Sequence, residues 1–329
     1  MEKKGASVLV TGGAGYIGSH TCKALAAAGY LPVCFDNLSV GHRWAVQWGP
    51  LIEGDLQDAE AVHRAFREHH IEAVIHFAAS ALVGDSMRDP AAYYRNNVLT
   101  TLTLMDAMRA ASVKDIVFSS SCSVYGNPKY VPVDETHPFG PLSTYGQTKL
   151  DGENALRWYG QAYAMRWIAL RYFNAAGADA DGQTGEDHAP ETHLVPLAIM
   201  AAMGTAPELR LFGTDYPTPD GTAIRDYIHV SDLARAHVSA LGALKRGATS
   251  QALNLGTGRG YSVREVLAAV EKALGRKVPH SLAPRRDGDP AEVVADPRRA
   301  AEVLGWTAQE SSIDAIVSTA ARWHAAHNR

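Results

Sequence analysis

The chain has 329 residues, 46% of them apolar and 20% charged, and 31 Lys+Arg against 35 Asp+Glu give a formal net charge of −4. That balance lacks the clustered basic excess of a nucleic-acid binder, and no apolar stretch approaches the ~20 residues of a membrane-spanning helix. Cys22, Cys34 and Cys122 are too few and too irregularly spaced for a disulfide framework and suit a reducing compartment, so the expectation is a cytoplasmic enzyme or binding protein without a cleavable leader.

In chain order, the apolar runs 7–10, 32–35, 72–77, 115–119 and 166–172 are continuous rather than alternating, as expected of strands buried on both faces of a parallel sheet. A further short strand precedes Gly54. Helices are predicted between these runs at 17–28, 59–68, 91–111 and 144–164, and the alternation implies a doubly wound, Rossmann-type α/β sheet. Near Asn174 the pattern changes. Residues 175–192 are rich in Gly, Asp and Ala and predict a loop, followed by a helix at 194–203 and a hairpin-like stretch at 212–221. Further helices are expected at 232–244, 263–274 and 298–304, in a smaller mixed α/β region interleaved with the first.

Thr11-Gly12-Gly13-Ala14-Gly15-Tyr16-Ile17-Gly18 joins the first strand to the first helix. Glycines in such a turn let the backbone approach a pyrophosphate, which the unpaired N–H groups of the helix N-terminus bind. Asp36 ends the second strand 18 residues after Gly18. Its carboxylate there would accept hydrogen bonds from an adenosine ribose and repel a 2′-phosphate, which favours NAD over NADP. Asp55 and Leu56 lie in the next loop along and would border the adenine, and Phe77-Ala78-Ala79 ends the fourth strand with small residues, as close approach to a cofactor requires. Residues 1–174 are therefore expected to bind NAD and carry the chemistry, and 175–329 to bind the substrate.

Tyr145 and Lys149 stand four apart on one predicted helix face, after a strand that ends in Ser119-Ser120-Ser121-Cys122-Ser123. A free tyrosine has a pKa of ~10 and is a poor base at neutral pH. A neighbouring ammonium and a cationic nicotinamide would favour the phenolate, and Ser121 could hydrogen-bond the same substrate oxygen. This constellation is a proton-abstracting site beside a hydride acceptor. The 14 histidines include no helix-spaced HxxxH or HExxH pair, and no metal is expected.

With these motifs the sequence resembles the extended short-chain dehydrogenase/reductase superfamily and, within it, the UDP-glucose 4-epimerase family. The likeness runs through Val74-Ile75-His76-Phe77-Ala78-Ala79, Tyr93-Tyr94-Arg95-Asn96-Asn97-Val98 and Leu170-Arg171-Tyr172-Phe173-Asn174. More discriminating are the stretch from Gly213 to Gly221, Arg225-Asp226-Tyr227-Ile228-His229-Val230, and Pro284-Arg285-Arg286-Asp287-Gly288-Asp289.

The resemblance implies reversible NAD-dependent epimerisation at C4 of a UDP-hexose, UDP-galactose to UDP-glucose, through a transient 4-keto sugar. It implies Tyr145, Lys149 and Ser121 as catalytic residues, with Asn37, Asn97 and Tyr172 joining the cofactor site. Asn174, His193, Leu194, Leu211, Phe212, Arg225, Arg286, Asp289 and Val293 are implied for the UDP-sugar. The two arginines would clamp the diphosphate and Asp289 would take the uridine ribose. The partners implied are the UDP-sugar and a second copy of the chain, paired through helices 91–111 and 144–164.

Three positions depart from the family pattern: Ala81 stands where many members have lysine, His193 where others have asparagine, and Val293 where bacterial members often have tyrosine. The smaller Val293 predicts tolerance of N-acetylated sugars. Other readings are a 4-epimerase of UDP-N-acetylglucosamine, UDP-arabinose or UDP-glucuronate, a nucleotide-sugar 4,6-dehydratase, and a non-catalytic NAD-sensing module. Elimination calls for a carboxylate just after the strand-end serine, where this chain has Cys122-Ser123, and a silent sensor would be expected to lack Tyr145 or Lys149.

Overall fold

The computed structural model describes residues 5–286 and 288–327. The first half runs β1 (Ser7–Thr11), α1 (Tyr16–Ala27), β2 (Leu31–Asp36), β3 (Leu51–Glu53), α2 (Ala59–His69), β4 (Ile71–His76), α3 (Val83–Arg88), α4 (Pro90–Tyr93), α5 (Thr100–Ala110), β5 (Asp115–Ser121), α6 (Thr144–Tyr163) and β6 (Arg166–Tyr172). The second runs β7 (Asn174–Ala176), α7 (Leu194–Met203), β8 (Leu209–Phe212), β9 (Ile224–His229), α8 (Val230–Lys245), β10 (Gln251–Leu255), β11 (Gly260–Ser262), α9 (Val263–Leu274), β12 (His280–Ala283), β13 (Glu292–Val293), α10 (Arg298–Leu304) and α11 (Ile313–His327).

A seven-stranded sheet in the order β10-β6-β5-β4-β1-β2-β3 forms the centre, every pair parallel. Its strands read as unbroken apolar runs because both faces are covered. Val8 and Val10 pack on one side with Leu25 of α1 and Leu233 and Leu241 of α8. Leu9, between them, packs on the other with Phe66 of α2 and Leu104 and Met108 of α5. Each such side chain contributes roughly 1.5–3 kcal/mol on burial. The Rossmann-type doubly wound sheet is thus present as the sequence predicts.

The second half of the chain does not fold apart from the first. β10 closes the far edge of the main sheet against β6, and α8 packs on α1. The rest builds two small sheets. In one, β9 is flanked by β11, β13 and β7; in the other, β8 pairs with β12. A separate core joins α7, α9 and α11.

Two local expectations need correction. The helix predicted at 91–111 is α4, a π-helical stretch Tyr94–Leu99 and α5 in succession. Pro90 and the Asp89 cap, whose carboxylate accepts from the Ala92 N–H at 3.0 Å, start α4. The hairpin predicted at 212–221 is no hairpin, because β8 pairs in parallel with the distant β12. Residues 213–221 instead close a turn on themselves, with the Tyr216 N–H donating to the Gly221 carbonyl at 2.9 Å.

Candidate active site

Chain order runs one way from β1 through β2 to β3 and the other way from β4 through β5 to β6, so the switch point lies between β1 and β4. Ligands in open α/β sheets bind outside the carboxyl ends of strands at such a point. A cavity of about 680 Å³ opens there. The two strand ends meet closely: the Phe77 and Ala78 N–H groups both donate to the Thr11 carbonyl, at 2.9 and 3.1 Å. Gly12 has φ +72°, and a Cβ on it would lie 2.7 Å from the Ala78 nitrogen. A Cβ on Gly18 would strike the Gly12 carbonyl, so the turn holds its shape only with glycine at both places.

Gly15 caps α1 without a side chain, leaving the helix N-terminus open to the cavity. Asp36, on the wall, accepts from the Ala14 N–H at 3.0 Å and the Leu38 N–H at 2.9 Å. Burial pushes its carboxyl up, and these two donors pull it back in part. Each oxygen carries one protein hydrogen bond and keeps lone-pair capacity for a diol. A cradle that a Cβ would fill, an open helix N-terminus and an acceptor carboxylate at the second strand end fit an NAD-type dinucleotide.

Of the predicted cofactor residues, Gly12, Gly15, Tyr16, Ile17, Gly18, Asp36, Asn37, Asp55, Leu56, Phe77, Ala78, Ala79, Tyr145, Lys149 and Tyr172 all line this cavity. Asn97 does not face it. It is buried behind the wall, where its side chain accepts from the Ser80 N–H at 2.8 Å and donates to the Ser80 carbonyl and Thr148 Oγ1, both at 3.0 Å. Its neighbour Asn96 reaches the wall instead and donates to Ser80 Oγ at 2.9 Å. The wide π turn lets two consecutive residues both address Ser80.

Tyr145, Lys149 and Glu153 follow at four-residue spacing along one face of α6. Lys149 is buried and its ammonium donates to the Ser119 carbonyl at 2.7 Å. Burial lowers its pKa to about 7, against the opposing pull of the Glu153 carboxylate. Burial likewise pushes the Tyr145 phenol up to about 12, with the Ser121 hydroxyl drawing it back. Ser121 is thus the protein group that favours the phenolate, while the Lys149 ammonium, 5.8 Å from the Tyr145 ring centroid, donates to the Ser119 carbonyl.

Behind this trio lies a buried network the sequence did not disclose. Ser120 donates to Glu153 at 2.5 Å, Arg171 holds both Glu153 oxygens at 2.9 and 2.6 Å, and Arg171 also donates to the Tyr125 hydroxyl at 2.8 Å. On the cavity side, Ser121 Oγ donates to Ser123 Oγ at 3.1 Å and accepts from the Ser123 N–H at 3.2 Å. No carboxylate stands in the Ser121-Cys122-Ser123 turn, and burial pushes the Cys122 thiol up to about 12.

Among the predicted substrate residues, Ser121, Asn174 and His193 line the same cavity. Arg225, Arg286, Asp289 and Phe212 form a second group. Asp289 is shared between the two guanidiniums: it pairs with Arg225 through one oxygen and with Arg286 at 2.8 Å through the other, and Arg286 lies over the Phe212 ring at 5.2 Å. Asp287, of the same motif, lies outside the described residues. Leu211 is packed in the core of α7 and α9, and Leu194 rests against it, so neither side chain stands on the cavity wall. Val293 is buried with Val124, Tyr125, Val133, Phe173 and Ala295, under the turn that follows β5.

A further group arises in the loop before α7. Glu186, His188, Glu191 and His193 bring one nitrogen or oxygen each to within 4.8 Å of one another, and all but Glu191 line the cavity. Burial pulls the two histidines down, but the carboxylates outweigh it and raise His188 to about 9 and His193 to about 10. Helix-spaced pairs were the wrong signal for it. The usable one was Glu-x-His-x-x-Glu-x-His within eight residues of loop.

The comparisons agree with the geometry. The sequence profile described as "NAD dependent epimerase/dehydratase family" matches residues 8–256. A UDP-glucose 4-epimerase of Rhizobium leguminosarum bv. trifolii is 51% identical over 325 residues, covering 99% of both chains. The crystal structure of UDP-glucose 4-epimerase from Brucella ovis in complex with NAD superposes with a TM-score of 0.95 at 53% identity, covering 96% of this chain and 98% of that one. That of UDP-glucose-4-epimerase from Stenotrophomonas maltophila, with bound NAD and formylated UDP-arabinopyranose, does so with 0.95 at 40% identity over 98% and 99%. The family profile spans most of the chain and the relatives span nearly all of it, and the chain belongs to the NAD dependent epimerase/dehydratase family.

Proposed function

We propose that this chain interconverts the C4 epimers of a UDP-hexose, UDP-galactose and UDP-glucose, with NAD as a bound cofactor and a transient 4-keto sugar as intermediate. The observation that carries this reading is Tyr145 beside Ser121 on the wall of the dinucleotide cavity, with no carboxylate in the turn after β5. Such a site moves a proton at one sugar oxygen and lacks the second acid–base group that elimination needs. The names of the relatives support the same substrate class.

NAD, when bound, supplies the hydride acceptor for C4 and the positive charge that stabilises a phenolate. Tyr145 takes the proton from the 4-hydroxyl and returns it to the turned-over sugar. Ser121 hydrogen-bonds the same oxygen, and Lys149 adds its charge near the phenol. Gly12, Gly15 and Gly18 seat the pyrophosphate, Asp36 the adenosine ribose, and Asn97 holds the Ser80 segment of the wall in place. Arg225 and Arg286 exchange their shared Asp289 partner for the substrate diphosphate, freeing Asp289 for the uridine ribose. A firm grip on the diphosphate and a loose one on the sugar lets the ketone turn, because a site holding one face of it tightly would block the other.

In this reading residues 1–174 serve NAD and the chemistry, and 175–329 mainly the nucleotide sugar. We further assign the chain to the cytoplasm, as a homodimer. Among the described residues no helix is long and apolar enough to cross a membrane.

The test is an assay of the NAD-loaded protein with UDP-galactose and no added reductant. UDP-glucose forms, and Tyr145→Phe lowers kcat by about 10²–10⁴-fold while retaining NAD. A 4-keto-6-deoxy product, or near-wild-type turnover in the variant, would overturn the reading. The same assay with UDP-N-acetylgalactosamine examines the Val293 expectation; absence of turnover removes it.

A further inference from the structure

The geometry points to a structural site for a divalent cation of the zinc class, formed by Glu186, His188, Glu191 and His193 at the rim of the cofactor cavity. The spacing of the donor atoms is the first support. His193 Nδ1 lies 2.7 Å from Glu186 Oε1 and 2.9 Å from Glu191 Oε1, while His188 Nδ1 lies 3.2 Å from Glu186 Oε1 and 3.6 Å from Glu191 Oε2. Four ligands at zinc's usual bond lengths of about 2.0–2.2 Å stand roughly 3.3 Å apart along the edges of a tetrahedron. These four contacts, which use both oxygens of Glu191, bracket that edge, and one donor atom from each residue lies within 4.8 Å of the others.

The second support is independent. Glu186 Oε1 and His188 Nδ1 are buried without a hydrogen-bond partner, although each has polar atoms within ion-pair distance. The Glu186 side chain is only 4% exposed, so water does not satisfy it. An unpaired buried carboxylate oxygen is costly. His193 Nδ1 is also hydrogen-bonded to Glu191 Oε1 at 2.9 Å, so it is at Glu186 and His188 that close approach comes without alignment, as in ligands whose lone pairs aim at a common ion. Two carboxylates match the ion's charge, and a two-imidazole, two-carboxylate set suits zinc better than magnesium or calcium, which prefer all-oxygen shells.

Four protein ligands make a closed site, so the role is structural, and His193 then holds the loop instead of the UDP-sugar that the family resemblance implied. Its surroundings say what it would fasten. The Glu186 carbonyl accepts from Trp323 of α11 at 2.9 Å, His42 contacts the Asp187 carbonyl at 2.9 Å, and His193 begins α7. A bound ion locks the loop that walls the cavity beside Tyr16 to the helix behind it.

The experiment uses the full chain, stripped with a chelator, loaded with Co(II) or Zn(II), and passed over a desalting column before metal analysis. The expected result is about one ion per chain, a four-coordinate Co(II) absorption band displaced by Zn(II), and a Zn(II)-dependent rise in Tm. His188→Ala and Glu191→Gln each lower retention at least about tenfold and abolish the Tm shift. Failure of the wild-type protein to retain metal, or a Co(II) spectrum of six-coordinate type, overturns the site even if the variants do not fold. Equal retention by folded variants assigns the metal to other histidines and overturns it as well.

Discussion

At the scale of single residues, the proposed reaction draws on the charge of Lys149, which Glu153 favours. Burial favours neutral lysine and brings its pKa to about 7; the Glu153 carboxylate, one helical turn on, pulls the other way. Removing that charge lowers the lysine pKa further. In Glu153→Gln the ammonium is therefore lost at lower pH, and the alkaline limb of the kcat/KM profile moves to the acid side. An unmoved limb in folded protein would refute the coupling. The same variant weakens the buried pair with Arg171, whose side chain is 4% exposed, so a stability loss of about 3–5 kcal/mol is expected in chemical denaturation. Tyr145 and Lys149 were legible in sequence because their spacing is local. Glu153 was not, since its meaning depends on Arg171 arriving from a different strand. Nor was the upward pull on the Tyr145 phenol, which comes from burial, a property of the folded site.

At the scale of elements, sequence periodicity located β1 to β6 of the main sheet and most helices, because unbroken apolar runs and caps are local signals, but it did not find β10. It failed where tertiary hydrogen bonding decides. The run 91–111 looks like one helix, yet the Tyr94–Leu99 turn widens so that Asn96 and Asn97 both reach the Ser80 segment. β8 has no local sign that its partner is β12, some 70 residues away. The π-helical stretch makes a specific prediction. Asn97 is 4% exposed and satisfies both backbone groups of Ser80 together with Thr148. Truncation in Asn97→Ala removes its bonds to both backbone groups of the part-buried Ser80 and to Thr148, a loss of about 0.5–1.5 kcal/mol per bond in urea unfolding. Bound NAD also dissociates faster, because the wall segment between Ala79 and Ala81 loses its brace. Unchanged unfolding midpoint and unchanged NAD release together would show that the brace is dispensable.

At the scale of the whole molecule, composition argues against a nucleic-acid partner and a spanning helix but gives no hint of how closely the two halves interlock. α1 carries Tyr16, Ser19 and Lys23 on one stripe. All three bind the segment 177–184, through the Gly177 carbonyl at 2.6 Å, Thr184 Oγ1 at 2.7 Å and Asp179 at 2.8 Å. With both halves bound into one body, a surface that suits a partner is the side formed by the π-helical stretch, α5 and α6. These run side by side: Tyr159 donates to Asp106 at 3.0 Å, and the Arg109 guanidinium lies 5.1 Å from the Tyr163 ring centroid. Their outer faces leave Tyr94, Leu99, Trp158 and Tyr163 exposed, Trp158 by 60%. A cluster of large apolar side chains on adjacent helices exceeds the scattered exposure normal for a monomer and suits an isologous contact, in which the same two helices of a second copy complete a four-helix layer. Light scattering on the eluting protein should then give twice the 35.3 kDa chain mass. Trp158→Glu, placing a charge at that contact, should return it to a single chain mass with the far-UV spectrum unchanged. A wild-type protein that elutes as one chain at micromolar concentration would remove the homodimer from this account and leave the proposed cavity chemistry, whose named residues all come from one chain, untouched.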